Sequence, residues 1–187
     1  MSIIQTIESA MIDKIKSVLM VPGNEKVRLV ETLPGAWSYD IMKRVLQKSP
    51  SVYVSFLGGN RGTNIDDLAC INATLDVYVV RKDPDEEARR VGTPQHIGCY
   101  DMLAAIIPNL HGYTIDGAGS LKLIRVGVLF GQDTFELGGS VYVASFELPN
   151  LVFDAEPPNL NGFITFNATH TLAVDAPTAI DQTTLAQ

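Results

Sequence analysis

The side chains able to do chemistry are few and scattered. Gly58-Gly59-Asn60-Arg61-Gly62 has the glycine content of a loop that cradles phosphate. It lacks the Lys-Ser/Thr such a loop needs, and no helix start follows it, so a turn accounts for it better. Asp66-Asp67 and the run from Asp83 to Glu87 offer carboxylates to a hard cation, without the alternating ligand spacing of a calcium loop. The spacing places His96 and Cys99 on one face of a helix, which would begin a metal site, but no second pair completes it, and His111 and His170 stand alone. None of the serines lies in a GxSxG elbow, and neither Cys70 nor Cys99 sits in a recognisable catalytic setting. A small metal-dependent hydrolase built on Asp66, Asp67 and His96 is the enzyme alternative, conditional on those groups meeting in one cleft. The preferred reading is a protein that is not an enzyme and uses no cofactor or metal.

Charge is more informative than catalysis. The 187 residues carry 14 Lys and Arg against 21 Asp and Glu, a net charge of -7. All the cations lie at or before Arg125, while Asp133, Glu136, Glu147, Asp154, Glu156, Asp175 and Asp181 follow it with no basic residue among them. The second part therefore has no basic face for nucleic acid. The only basic concentration, Arg81-Lys82 and Arg89-Arg90, is interleaved with Asp83, Asp85, Glu86 and Glu87. Its field cancels beyond a Debye length of ~10 Å, which suits a polar protein interface as well as it suits a solvated helix start.

The elements that must position these groups read as one α+β domain. Ile3, Ile4, Ile7, Met11, Ile15 and Val18 recur at helical spacing, giving an amphipathic helix over residues 3–19. The same pattern lacks the basic start and continuous apolar stretch of a signal peptide, so a soluble, intracellular origin is expected. A strand follows at 27–32, a short helix from Ser38 or Asp40 through Gln47, and a central strand at 51–57 stopped by Gly58-Gly59. Residues 58–67 read as an exposed loop or hairpin connection. From Ala69 to Arg81 a period of two places Ile71, Ala73, Leu75, Val77 and Val79 on one face and Asn72, Thr74, Asp76 and Tyr78 on the other. The acids of 83–87 suit a helix start, a packed helix from about Ile97 ends at Pro108, and strands at 121–130 and 141–148 pair as a hairpin. Beyond Pro149 the chain becomes rich in Pro, Asn and Thr, with one β-like island at 163–169. The division expected is a domain at 1–149 and an extension at 150–187.

The order of these features resembles the tail terminator family of Mu-like phages. The amphipathic first helix, Pro50 to Phe56 ahead of Gly58-Gly59, and the strand from Ile71 to Val80 running into Arg81 carry the first part of the likeness. The run Glu87-Ala88-Arg89-Arg90-Val91-Gly92 resembles the family's Glu-x-Ala-Arg-Arg-x-Gly element, and Gly98-Cys99-Tyr100-Asp101-Met102-Leu103 its Gly-x-Tyr-Asp-x-Leu helix start. A terminal hairpin with Val141-Tyr142-Val143 and Phe146-Glu147 completes it, while residues 150–187 run past the family's usual end. The resemblance implies a virion protein, made in the host bacterial cytoplasm, that forms a homohexameric ring on the last ring of the tail tube. Its implied partners are the tail tube protein, the head-tail connector or neck protein and, in a contractile tail, the sheath protein, with genome DNA passing through the lumen unbound. Another neck or stopper ring protein is the runner-up.

Three contact sites are expected on this reading. Arg81, Asp83, Asp85, Glu86, Glu87, Arg89 and Arg90 would supply mixed-charge contacts between subunits. Asn60 and Arg61 would lie on the ring rim or lumen, and the island with Phe163 and Phe166 would add a strand to a neighbour.

Overall fold

A computed structural model of the chain describes residues 2–63, 69–129 and 136–153, together with the backbone of two strands at 166–170 and 179–183. Helix α1 (Ile3–Leu19) is followed by a small ribbon of β1 (Met20–Val21) and β2 (Asn24–Glu25), then by β3 (Leu29–Thr32) and α2 (Tyr39–Gln47). The long strands β4 (Ser51–Arg61) and β5 (Cys70–Lys82) lead to α3 (Glu86–Val91), a ribbon of β6 (Gly92–Thr93) and β7 (His96–Ile97), and α4 (Cys99–Leu110). A third ribbon, β8 (Thr114–Ile115) with β9 (Gly119–Ser120), precedes β10 (Lys122–Val128) and β11 (Gly139–Val152). Strands β12 (Phe166–His170) and β13 (Ala179–Thr183) pair with each other. The chain divides into two compact units, Met1–Phe153 and Asp154–Gln187.

The first unit is built on a five-stranded sheet in the order β10-β11-β5-β4-β3, antiparallel except for the parallel β3–β4 pair. It is an α+β fold with a mixed sheet. Helix α1 presents Ile7, Met11, Ile15 and Leu19, all buried, on one stripe. Burial of such side chains contributes about 1.5–3 kcal/mol each, which holds the helix down although Ser2 makes no side-chain cap. With α4 it covers the sheet face formed by Val52, Val54, Ala73, Leu75, Val77, Val79, Ala144, Phe146 and Leu148. The opposite face also has a lid at one end. Helix α2, started by Ser38 Oγ accepting from the Ile41 amide at 3.3 Å, lays Met42, Val45 and Leu46 on Tyr53, Tyr78, Val80, Val141 and Val143.

That second cover changes the reading of the polar side of β5. Asp76 and Tyr78 are buried rather than solvated, and Tyr78 Oη donates to Asp76 Oδ2 at 2.9 Å. Burial, followed by the Asp76 carboxylate, pushes the Tyr78 phenol up to about 12.

Four local departures have physical reasons. Strand β4 does not stop at Gly58-Gly59, because a bulge at Leu57 is followed by Gly58, at φ 104°, and Gly58 to Arg61 resume pairing with β5. Helix α4 runs past Pro108, whose missing N–H near the helix end forfeits a single bond, and the His111 amide reaches the Ile107 carbonyl at 2.9 Å. A bulge between Leu123 and Arg125 breaks the simple alternation of β10, so that Leu123, Val126 and Val128 oppose Phe146, Ala144 and Tyr142. Strand β11 continues through Pro149-Asn150 to pair Leu151 with Ile71, and the first unit accordingly reaches Phe153. Among the described residues no helix is long and apolar enough to cross a membrane.

Candidate functional site

The mixed-charge segment turns inward. Arg81, 5% exposed, donates from Nη2 to Asp83 Oδ2 at 3.0 Å, and Asp83 Oδ1 accepts from the Asp85 amide at 3.1 Å. Asp85 caps α3 by accepting from the Glu87 and Ala88 amides at 3.1 and 3.4 Å. Arg89, 7% exposed, donates from Nη1 to the Asp83 carbonyl at 2.8 Å and from Nε to Ser140 Oγ at 3.1 Å. These bonds tie the end of β5, the helix α3 and the start of β11 into one corner. Arg81, Asp83, Asp85 and Arg89, four of the residues expected to make contacts between subunits, make these bonds within the chain. Asp85, Glu86 and Glu87 remain exposed at the start of α3, and Asp83 and Arg90 are half-buried.

Beneath this corner lies Cys99, fully buried at the first position of α4. It shares no helix face with His96, which is exposed on β7. Burial pushes the Cys99 thiol up to about 12, against the opposing pull of Arg81 and Arg89. A thiol so placed is almost wholly protonated at pH 8. Iodoacetamide labelling of the native protein at pH 8 is therefore expected to leave Cys99 unmodified, while denatured protein labels fully. Peptide mass spectrometry checks this, and rapid native labelling of Cys99 would show that the corner opens.

An open cleft of about 1320 Å³ runs beside the corner, where Lys26, Arg28 and Lys82 meet Glu25, Asp83 and Asp101. His96 lines it, but Asp66 and Asp67 lie outside the described residues. Among the described residues no three His, Cys, Asp or Glu side chains gather closely enough to hold a metal ion.

Asn60 and Arg61 sit at the far end of β4, paired in register with Asn72 and Ile71, and both are exposed. Their strand end is fastened across the sheet through Asn150, whose Oδ1 accepts from the Thr63 amide and whose amide donates to Asn72 Oδ1, each at 3.0 Å. Phe166 begins β12, whereas Phe163 lies outside the described residues.

Exposed apolar side chains on β10 and α4 belong to none of the sites expected from the motifs. Ile124 and Val126 on β10 are 52% and 47% exposed, and Tyr100 on α4 is 45% exposed. Tyr100 meets Tyr142 edge to face, with ring centroids 5.4 Å apart and hydroxyls 3.4 Å apart. Burial and the Tyr100 hydroxyl push the Tyr142 phenol up to about 12, so that ring stays neutral and acts as apolar surface with a polar tip. The available signal was the apolar run Leu121 to Phe130, but its exposure depends on strand order.

The corner that joins Glu87–Gly92 to Gly98–Leu103, on a mixed sheet flanked by α1 and α4, lies wholly within residues 3–151, which match the family described as Bacteriophage Mu, Gp37. The chain belongs to that family. The expectation of a Mu-like phage family drawn from the ordered motifs therefore holds. A curated relative, the Mu-like prophage FluMu protein gp37 of Haemophilus influenzae (strain Rd), is 27% identical over 158 residues, covering 82% of this chain and 75% of the relative. Among solved structures, a chain of the virion of a native gene transfer agent particle aligns with a TM-score of 0.42 and 9% identity, over 81% of this chain and 92% of that one.

Proposed function

We propose that this Gp37-family chain is a structural virion protein: a tail terminator that forms a homohexameric ring on the tail tube, halts tube growth and receives the head connector. The observation that supports it best is the free, apolar edge of the sheet. Among the described residues strand β10 pairs with β11 alone, and it leaves Ile124 and Val126 exposed, the kind of surface that marks contact with another protein. A closed ring needs two different patches on each copy, used repeatedly. The tube protein, the connector and, in a contractile tail, the sheath would be the partners, and the acidity of the chain would keep a lumen from holding genome DNA. Asn60, Arg61, Asp83, Asp85, Glu86, Glu87 and Arg90 are the exposed or half-exposed members of the contact set on this reading.

Particle morphology separates this from a neck or stopper ring. Deleting the gene from a producing phage or prophage is expected to give overlong, heterogeneous tails under negative stain, restored to uniform length by the wild-type chain. Tails of normal length left unjoined to heads would reject the terminator reading in favour of a stopper.

A further inference from the structure

We infer that the free edge of β10 accepts, as an added strand, the C-terminal hairpin of a neighbouring copy of this chain; the inference rests on the ring reading above. Three observations lead to it. The bulge at Ile124 brings Leu123, Val126 and Val128 to the α4 side of the sheet, where Val126 is left 47% exposed near the Tyr100–Tyr142 pair. A strand edge lying beside a helix is a groove that takes an extended segment through main-chain hydrogen bonds and pockets for alternate side chains.

The second observation concerns the donor. Strands β12 and β13 form a two-stranded sheet of five residues each, in a unit of their own. A hairpin of that size is marginal in water and gains stability by joining a larger sheet. In sequence β12 alternates Phe166 and Ala168 with Asn167 and Thr169, the pattern of a strand with one apolar face. The hairpin also lies outside residues 3–151, the part that matches the family.

The third is charge. Lys122 and Arg125 are exposed on β10, and among the described residues neither makes an ion pair. Residues 154–187 carry Asp154, Glu156, Asp175 and Asp181 and no Lys or Arg. Cations on an edge strand discourage indiscriminate pairing, and of the two hairpin strands β13 carries the complementary charge, in Asp181. One copy then offers an edge and the next a strand, the head-to-tail relation a ring requires.

The test uses full-length protein carrying Val126→Cys in one preparation and Ala168→Cys in another. The two are mixed and treated with a short bismaleimide, with wild type setting the background from the buried Cys70 and Cys99. A cross-linked pair joining Val126→Cys to Ala168→Cys, at least tenfold above background and reduced when the Val126→Cys acceptor also carries Ile124→Lys, supports strand donation between copies. No such pair, or a link formed only within one chain when both cysteines are on the same molecule, overturns it. Mass photometry of untreated wild type reports the ring separately. Hexamers without the cross-link would leave the ring standing and remove the strand exchange, whereas the cross-link in an assembly that is not sixfold would do the reverse.

Discussion

Arg89→Glu should lower the stability of the isolated protein by about 3–5 kcal/mol, the scale typical of leaving a buried charge uncompensated. For a chain of this size that is a fall in Tm of about 6–20 °C, read by circular dichroism at low protein concentration. The guanidinium is 7% exposed and spends its donors on the Asp83 carbonyl and Ser140 Oγ. A carboxylate there would have nothing to donate to the Asp83 carbonyl and could keep at most the Ser140 hydroxyl as a partner, beside an Asp83 side chain already committed to Arg81 and the Asp85 amide. Glu87→Lys is the matched control: it reverses charge on the same helix at an exposed position, and surface changes of that kind stay within about 0.5 kcal/mol. An Arg89→Glu protein that melts with wild type but no longer assembles would restore Arg89 to the subunit interface and refute the internal role.

The same residue shows where the sequence stopped being readable. Alternating signs from Asp83 to Arg90 are what a solvated helix start looks like, and nothing in that run announces that β11 begins directly beside it. The burial of Arg89 is imposed from a distance, by the register that sets Ser140 opposite Arg81. Local periodicity, by contrast, was sufficient where one element carries its own pattern. Helix α1 spans Ile3–Leu19 because its stripe is unbroken, and β5 runs Cys70–Lys82 because its alternation is.

Strand order was not legible, and most of the remaining differences follow from it. Hydrophobic spacing cannot say that β3 runs parallel to β4, that α2 crosses to the other face of the sheet from α1 and α4, or that β10 is left at an edge. Ile124 and Val126 therefore read as ordinary strand residues until the order is known. The bulge at Ile124 is similarly invisible, since one inserted residue changes which side chains share a face without changing composition.

Gly98→Ala should cost about 3 kcal/mol or more, at or above the upper end for forcing a methyl into a packed site. Gly98 has an ordinary φ of -91°, so its need for glycine is one of space and not of backbone conformation. A Cβ there would meet the Arg90 carbonyl oxygen at 2.5 Å and would press still closer on the backbone of Val91 and Gly92. None of these is a flexible side chain that can swing aside. Gly92, at φ 90° and ψ -174°, occupies a region essentially closed to other residues, and a Cβ on it would meet the Gly98 amide nitrogen at 2.6 Å. The two glycines thus let the end of α3 touch the start of α4 across the β6–β7 ribbon. Gly127→Ala is the control: its new Cβ would find only Val143 Cγ1, at 3.9 Å, and chain stiffening should leave stability unchanged or slightly raised. Urea denaturation of the two variants checks the contrast, and equal midpoints would reject the close approach. Gly92 closes the Glu-x-Ala-Arg-Arg-x-Gly element and Gly98 opens the Gly-x-Tyr-Asp-x-Leu element, so the motifs by which the chain resembles its family encode a fold-closing corner.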